Sequence, residues 1–286
     1  MGITINKLSS CFAAEVLGVD LRKPLEEGIF KQIQDAFYEY SVLVFRDQDL
    51  NDEQQIAFSR RFGPLETSVK SNPYSGGGGQ VIVLSNVNEK GEILTPDSDK
   101  MIYLSGNMLW HSDSSYKKIP AKASLLSGRE VPPEGGETEY ASTRAAYEAL
   151  PDEKKAMLEG LIVIHDYSYS RGQVAPNLIT QALRDELPPV PQVLVRTLPE
   201  TGKKALFIGS HASHIVGWPV EKGRALLKEL LEWSTQPQFV YTHTWQPKDL
   251  VMWDNRCCLH RGRPWDGRKY RRIMHRTTIA GDGPTL

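Results

Sequence analysis

The spacing of apolar residues predicts four helices in this chain. Apolar side chains that recur every three or four residues lie on one face of a helix, and that face packs against a core. Asn51 is a residue type that caps helices, and Pro151 interrupts the third of these patterns. We predict helices over residues 27–40, 51–62, 143–161 and 220–235.

Short apolar runs between the helices predict β-strands. Strands outnumber helices, and the two do not alternate regularly, which argues against a doubly wound parallel sheet. We therefore predict a mainly β fold, a β-sandwich or jelly roll, with flanking helices packed outside. The predicted strands cover residues 41–45, 80–84, 123–127, 192–197, 205–209, 239–245, 250–253 and 273–279.

Two polar stretches predict irregular segments. Residues 66–80 contain Ser75 followed by four glycines and predict a mobile loop, a candidate lid over a small-molecule site. Residues 167–191 end in Pro-Pro-Val-Pro, which continues neither a helix nor a central strand. Gly202, between two of the strand runs, predicts a hairpin loop.

Charge and cysteine content narrow the class of protein. The 286 residues carry a net charge of -1, which argues against a nucleic-acid-binding protein because such proteins normally carry a basic excess. The N-terminal sequence lacks a signal-peptide pattern, and no apolar run is long enough to span a membrane. Cys11, Cys257 and Cys258 are typical of reduced thiols in the cytoplasm. Because we find no internal repeat and no long linker, we predict a single domain over residues 1–286.

A His-X-Asp sequence at His111 and Asp113 is the first candidate for metal binding. Residues two apart on a strand project from the same face, so the imidazole and the carboxylate would be two ready ligands. Two histidines and one carboxylate on one face of an octahedron leave three open positions, the arrangement of non-haem Fe(II) oxygenases. His-X-Asp alone is a weak signal, because it occurs by chance in many proteins.

The C-terminal segment completes a longer pattern. His111 and Asp113 are followed by Thr138 after 24 intervening residues, and the distant His260 is followed by Arg272 after 11. In this combination the chain resembles the taurine dioxygenase family of 2-oxoglutarate-dependent oxygenases. The resemblance covers nearly the whole chain. The stretches closest to the 2,4-dichlorophenoxyacetate (aryloxyalkanoate) dioxygenases of that family are 109–115, 207–214 and 250–256.

This resemblance implies a fold, a metal and a cosubstrate. The implied fold is a double-stranded β-helix, a cupin-like jelly roll. Fe(II), 2-oxoglutarate and O2 would hydroxylate a small carboxylate substrate, with formation of succinate and CO2. Hydroxylation beside an ether oxygen would release a phenol and an oxo acid. The resemblance implies Fe(II) ligands at His111, Asp113 and His260, and a 2-oxoglutarate site at Arg272, Thr138 and Trp253.

The resemblance also implies a substrate site. Arg276 would bind the acidic group of the substrate, and Asn107 would face the substrate, although local backbone bonds explain that amide equally well. His211 or His214 would contact the substrate's carboxylate or ether oxygen; backbone-bonded loop histidines are the alternative. Lys70 would add positive charge, and a solvated loop lysine is the alternative.

The chemistry of arginine independently favours two anion sites. A guanidinium group binds a carboxylate through two parallel hydrogen bonds. Arg272 and Arg276 lie four residues apart on a predicted strand and therefore face the same side. Burying two cations without partners is costly, and two small anions would satisfy them. Surface salt bridges are the alternative. By the same parity His275 faces away from both arginines, and we predict that His165 is a core histidine with its hydrogen bonds satisfied.

Other functions share parts of this pattern. The same mechanism serves a sulfonate or an alkyl sulfate elsewhere in the family. A zinc-dependent hydrolase also uses two histidines and a carboxylate, but it has no need for Thr138, Arg272 and Arg276 at these spacings. A non-catalytic jelly-roll module is the remaining alternative. The family resemblance further implies a homo-oligomer, a dimer or higher, that acts on a small anion and not on nucleic acid or membrane.

Overall fold

The computed structural model describes residues 2–74 and 78–286. Fifteen strands lie in this part of the chain. They are β1 (Thr4–Lys7), β2 (Ala14–Leu17), β3 (Val42–Phe45), β4 (Val81–Ser85), β5 (Ala123–Glu130), β6 (Thr138–Ser142), β7 (Ile162–His165), β8 (Val190–Val193), β9 (Val195–Thr197), β10 (Lys204–Leu206), β11 (Ala212–Ile215), β12 (Val240–His243), β13 (Leu250–Asp254), β14 (Cys258–Gly262) and β15 (Ile273–Ile279).

Eight α-helices accompany the strands in the same residues, together with 3-10 segments at Ser105–Met108, Pro176–Leu178 and Pro237–Phe239. Within the described ranges, no helix has both the length and the apolar character needed to cross a membrane. The α-helices are α1 (Glu27–Tyr40), α2 (Asp52–Arg60), α3 (Asp99–Leu104), α4 (Thr143–Glu148), α5 (Asp152–Leu158), α6 (Tyr167–Gly172), α7 (Gln181–Glu186) and α8 (Val220–Ser234).

The four predicted helices are confirmed, with small changes at their ends. Helix α1 buries Phe30 and Phe37 on its apolar face. Asn51 caps α2 as predicted: its Oδ1 accepts from the backbone nitrogen of Gln54 at 2.8 Å, and the Gln54 side chain accepts from the Asn51 nitrogen at 2.9 Å. Pro151 separates α4 from α5, because proline cannot continue the preceding helix.

The predicted irregular segment over residues 167–191 is wrong in part, because α6 and α7 lie within it. Each helix has six residues, fewer than two turns, so neither shows an apolar period. Side-chain caps start both: Asp166 Oδ1 accepts from the nitrogen of Ser168 at 2.7 Å, and Thr180 Oγ1 accepts from the nitrogen of Leu183 at 3.2 Å. The prolines behave as expected, since β8 is an edge strand.

The largest sheet has the strand order β1-β2-β3-β13-β5-β15-β4, and its neighbours are antiparallel except for β2 and β3. Alternation along β13 divides its side chains between two cores. Leu250 and Met252 pack with residues of α1 and α2, whereas Val251 and Trp253 pack on the opposite face with Tyr140 of β6. The sheet β12-β6-β14 therefore covers the face that the two helices leave open.

Each predicted strand run overlaps an observed strand, which supports the mainly β class with helices outside. Residues 192–197 contain parts of two strands: β8 pairs with β7, and β9 forms a hairpin with β10. Gly202 makes that hairpin turn as predicted, with φ of 69° and its nitrogen 2.8 Å from the oxygen of Leu198. The pattern missed the short strands β6 and β14, which carry Thr138 and His260.

The predicted polar loop is described only in part, because residues 75–77 lie outside the described residues. Its flanks are tied to the rest of the protein. The nitrogen of Ser68 donates to the oxygen of Gly79 at 2.9 Å, and the nitrogen of Lys70 donates to Glu186 Oε1 at 3.0 Å.

His165 on β7 is a core histidine, as predicted, and the backbone of Phe207 is a weak hydrogen-bond partner of its ring. The residue is fully buried, and its ring stacks on Phe207 with centroids 5.1 Å apart. No described residue makes a hydrogen bond of good geometry to either imidazole nitrogen. Burial lowers the pKa of His165 to about 4, so the folded protein holds this imidazole neutral near pH 7.

We expect His165→Leu to stabilise the protein, and more so at pH 5 than at pH 7.5. The folded-state pKa is depressed, so the unfolded chain takes up this proton first as the pH falls from about 6.5 towards 4, and stability is lost across that window. Leucine removes both the proton uptake and the buried nitrogens, a gain of roughly 1–3 kcal/mol. Urea unfolding of both proteins at the two pH values measures it. The same stability difference at both would contradict the titration of His165.

Candidate active site

Three candidate metal ligands meet beside β14. His111, Asp113 and His260 are buried, and their ligand atoms lie within 4.8 Å of one another. Asp113 Oδ1 is 4.0 Å from His111 Nε2, and Asp113 Oδ2 is 3.8 Å from His260 Nε2. His111 and Asp113 do not lie on a regular strand. His111 forms an isolated antiparallel bridge with His260, whose two backbone hydrogen bonds measure 3.1 and 2.8 Å, and Asp113 follows in a turn.

Hydrogen bonds around the triad orient its side chains. His111 Nδ1 lies 2.7 Å from the carbonyl oxygen of Leu109, which can only accept, so Nδ1 carries the proton and Nε2 presents its lone pair. Ser124 Oγ donates to Asp113 Oδ2 at 2.7 Å, and the nitrogen of Asp113 donates to Asn255 Oδ1 at 3.1 Å. These contacts hold the ligand atoms in place.

The electrostatics of the triad suit a divalent metal. Burial lowers the pKa of His111 to about 4 and holds the pKa of His260 well below its ordinary value, so both imidazoles are neutral near pH 7. Burial alone would raise the pKa of Asp113, but attraction to Arg276 and the two histidines lowers it below the usual range. Two neutral nitrogen donors and one ionised carboxylate form the donor set typical of a non-haem iron site.

A first cavity, on one side of the triad, contains an arginine without an acidic partner. Arg272 precedes β15 and lines this cavity with Thr138, Trp253 and His260. Its Nη2 donates to the oxygen of Gly136 at 3.3 Å, and its buried Nε has no partner among the described residues. No described carboxylate lies within 4.0 Å of Arg272, whose pKa burial lowers only to about 10, so the group stays positive.

Thr138 and Trp253 complete the polar and apolar walls of the first cavity. Thr138 Oγ1 accepts a hydrogen bond from Trp245 Nε1 at 2.9 Å, which leaves the hydroxyl hydrogen free to donate to another group. Trp253 packs its ring on His260, with centroids 4.6 Å apart, and donates from Nε1 to Asn255 Oδ1 at 2.9 Å. A cation and a hydroxyl donor beside an apolar wall fit one end of a dicarboxylate.

A second cavity also borders the triad and shares His111, Asn107 and Arg276 with the first. Arg276 Nη1 donates to Asp113 Oδ1 at 2.5 Å, and its buried Nε has no partner among the described residues. Four tyrosines lie among the polar and charged side chains that line this cavity: Tyr74, Tyr103, Tyr116 and Tyr167. The two cavities therefore meet at the metal-ligand cluster.

Only one of the two paired histidines belongs to this site. The ring of His211 lies 4.8 Å from that of Tyr116 and 6.2 Å from that of His111. Burial, together with the neighbouring His111 and Arg171, holds the pKa of His211 well below its ordinary value. His214 follows a β-bulge on β11, contacts Ser213 Oγ at 2.9 Å and lines neither cavity.

Lys70 also lies outside both cavities. Its side chain is exposed and lines a separate surface groove that includes Glu186. Of the residues predicted for the site, the structure therefore leaves Lys70 and His214 apart. It brings together His111, Asp113, His260, Thr138, Trp253, Arg272, Arg276, Asn107 and His211.

Comparison with known proteins identifies the family. The family model described as "Taurine catabolism dioxygenase TauD, TfdA family" matches residues 4–278. The chain belongs to this dioxygenase family. The predicted family is thereby confirmed.

Relatives of this TauD/TfdA dioxygenase are similar over their full length. The α-ketoglutarate-dependent 2,4-dichlorophenoxyacetate dioxygenase of Cupriavidus pinatubonensis is 45% identical over 282 residues, 98% of each chain. The (S)-phenoxypropionate/α-ketoglutarate dioxygenase of Sphingobium herbicidovorans is 41% identical over 97% of this chain and 95% of its own. A crystal structure of AAD-2 in complex with Mn(II) and N-oxalylglycine aligns with a TM-score of 0.92 at 46% identity, and covers 100% of this chain and 99% of that one.

Sequence reasoning missed several residues of this TauD/TfdA site. Ser124 and Asn255 orient Asp113, and Arg171 lines the second cavity. No sequence signal distinguished Ser124. Asn255 lies in the turn that follows β13, two residues after Trp253, and its position next to the strand run offered no separate signal. Arg171 lies four residues after Tyr167, a helical spacing, inside a stretch that was predicted to be irregular.

Proposed function

We propose that this TauD/TfdA dioxygenase uses Fe(II), 2-oxoglutarate and O2 to hydroxylate a small aryloxyalkanoate such as 2,4-dichlorophenoxyacetate. The observation that carries the proposal is the meeting of two cavities at one metal-ligand cluster. One cavity offers a cation to a dicarboxylate, and the other combines cations with aromatic walls. The names of the relatives, which include a 2,4-dichlorophenoxyacetate and a phenoxypropionate dioxygenase, support the same substrate class.

The residues have distinct tasks in this proposal. His111, Asp113 and His260 hold the iron through two neutral imidazoles and a carboxylate. Arg272 binds the distal carboxylate of 2-oxoglutarate, and the Thr138 hydroxyl donates a further hydrogen bond to it. Trp253 packs beside this cosubstrate. In the second cavity, Arg276, Asn107 and His211 face the aryloxyalkanoate.

When bound, iron and 2-oxoglutarate supply an oxidation that uses O2, releases succinate and CO2, and hydroxylates a nearby C–H bond. The protein positions the substrate so that the carbon beside the ether oxygen lies closest to the triad. The tyrosine rings pack on the aryl group and exclude water from the reacting atoms. The hydroxylated carbon then releases a phenol and an oxo acid.

The proposal also includes the fold of the protein, its oligomeric state and its location in the cell. We infer a double-stranded β-helix, the cupin-like jelly roll, formed by one domain over residues 1–286; the family model covers residues 4–278. We also infer a cytoplasmic homo-oligomer that acts on a small anion and not on nucleic acid or membrane. The reduced thiols, the net charge of -1 and the family support these inferences.

Succinate formation tests the proposal. The Fe(II)-loaded protein is incubated with 2-oxoglutarate, O2 and one candidate substrate at a time: phenoxyacetates, both enantiomers of a 2-phenoxypropionate, taurine or an alkyl sulfate. We expect succinate in step with phenol release from an aryloxyalkanoate. Stimulation by taurine or the sulfate alone would replace the substrate class and keep the mechanism. No succinate with any candidate, and hydrolytic activity with Zn(II), would favour the zinc hydrolase instead.

A further inference from the structure

Arg171 is a buried cation in the second cavity that no predicted role explains. It lies on α6 and is 9% exposed. Its Nη1 donates to the carbonyl oxygen of Tyr103 at 3.1 Å, and its Nη2 donates to Asn107 Oδ1 at 3.2 Å. Its Nε is buried without a partner, and no described carboxylate lies within 4.0 Å of the guanidinium group. Both hydrogen-bond partners are neutral.

The surroundings of Arg171 hold the guanidinium group in one position. The rings of Tyr103 and Tyr167 flank it, with their centroids 4.9 and 5.5 Å from Cζ. Gly106 leaves the space that the group occupies, because a Cβ at that position would lie 1.8 Å from Arg171 Nη1. A planar donor between two aromatic rings is prepared to bind a planar anion with little loss of side-chain entropy.

The other cations of this cavity have carboxylate partners. Arg276 contacts Asp113, and Lys117 contacts Glu66 Oε2 at 2.6 Å. Among the described cavity residues, Arg171 is therefore the charged side chain that lacks a counter-charge. A buried cation without one is costly, and an anionic ligand removes that cost.

We propose that Arg171 binds the carboxylate of the substrate from α6, in addition to Arg276, whose Nη1 also contacts the candidate metal ligand Asp113. This inference rests on the proposed function, because it names how the substrate of that same site is recognised. The guanidinium group of Arg171 donates two hydrogen bonds to the carboxylate in a bidentate contact. The aryl ring of the substrate lies among the cavity tyrosines. Asn107 contributes by fixing Arg171 through its amide oxygen, which leaves its amide nitrogen free to donate.

Two variants and a matched pair of ligands test the inference. Arg171→Met removes the charge and keeps the apolar length of the side chain. Gly106→Ala keeps the charge and displaces the guanidinium group, because the new methyl would overlap Nη1. The ligands are 2,4-dichlorophenoxyacetate and its neutral amide. Binding is measured calorimetrically with Mn(II) and N-oxalylglycine present, and turnover is measured with Fe(II) and 2-oxoglutarate.

We expect Arg171→Met to weaken binding and raise KM for the acid by roughly a hundredfold, and to change both for the amide by less than about threefold. Gly106→Ala should shift the same preference in the same direction, and Arg171→Lys should restore part of it. The matched control is Arg184→Met on α7, where the side chain is exposed. It should leave acid and amide unchanged.

Equal losses for acid and amide would mean that Arg171 only supports the fold, and would overturn the inference. If Arg171→Met folds normally and keeps the same preference for the acid over the amide, the inference is overturned as well. In either case, turnover of aryloxyalkanoates by the unmodified protein would leave the proposed function standing. An unmodified protein that neither binds nor converts any aryloxyalkanoate would overturn the proposed function, and the inference with it.

Discussion

Replacing His111 by alanine should lower substrate-dependent succinate formation at least about a thousandfold, because a bound metal contributes several kcal/mol to such reactions. The variant loses one of the three ligand atoms that lie within 4.8 Å of one another. The substitution removes only the imidazole of His111. The backbone hydrogen bonds between residues 111 and 260 do not depend on that side chain and should persist. Succinate assays with excess Fe(II), together with a calorimetric titration of Mn(II) into the metal-free protein, measure both losses.

The matched control for this variant is His275→Ala. His275 belongs to β15 but projects to the opposite face, as predicted, where its Nδ1 lies 2.7 Å from Asp52 Oδ1 on α2. Its removal should leave Mn(II) affinity unchanged and turnover within about twofold, because no ligand atom is touched. A His111→Ala protein that folds, binds Mn(II) normally and retains a tenth of its activity would exclude the triad as the metal site.

Replacing Arg272 by alanine should raise KM for 2-oxoglutarate roughly a hundredfold, because a buried two-pronged contact to a carboxylate is worth about 3 kcal/mol. The ligand-free protein should not lose stability in proportion. The Nε of Arg272 is buried without a partner, so in the absence of the anion this cation is a cost. Initial rates at varied 2-oxoglutarate, and urea unfolding without it, separate the two effects. Mn(II) affinity should stay close to that of the unmodified protein.

Arg271 provides a control one residue away. Its guanidinium group is exposed and pairs with Glu130, with Nε 2.7 Å from Oε2. Surface pairs of this kind contribute at most about 1 kcal/mol, and Arg271 lines neither cavity at the triad. Arg271→Ala should therefore leave KM for 2-oxoglutarate within about twofold. Equal increases of KM in the two variants would remove Arg272 from the cosubstrate site.

The three arginines that line the two cavities differ in their charged neighbours although they share a chemistry. No described carboxylate lies within 4.0 Å of Arg272 in the first cavity or of Arg171 in the second. Arg276, where the cavities meet, contacts the candidate metal ligand Asp113. In the proposed function, an arginine without a counter-charge binds the anion that enters its cavity, because the anion removes the cost of the buried charge. A cation already bonded to Asp113 instead lowers the pKa of that carboxyl and keeps it ionised for the metal.

The sequence by itself determined the long helices, the family and the candidate metal ligands. Helix α1 was predictable because it has enough turns for the apolar period to emerge, and α2 because Asn51 starts it with a recognisable cap. The triad was recognisable from His111, Asp113 and His260 because ligand types are set by chemistry and their intervals match a family pattern. None of this required knowledge of which strands pair.

Only the tertiary structure decided which side chains share a cavity. A bulge on β11 separates His214 from His211, and a bulge is a property of strand pairing that residue spacing does not reveal. The backbone nitrogen of Lys70 donates to the distant Glu186, and the lysine side chain is exposed. Arg171 lies on a helix too short for its period to be read. It lacks a counter-charge because the two carboxylates of its cavity, Glu66 and Asp113, pair with Lys117 and Arg276. Charge compensation depends on three-dimensional neighbours, so it appears only after folding.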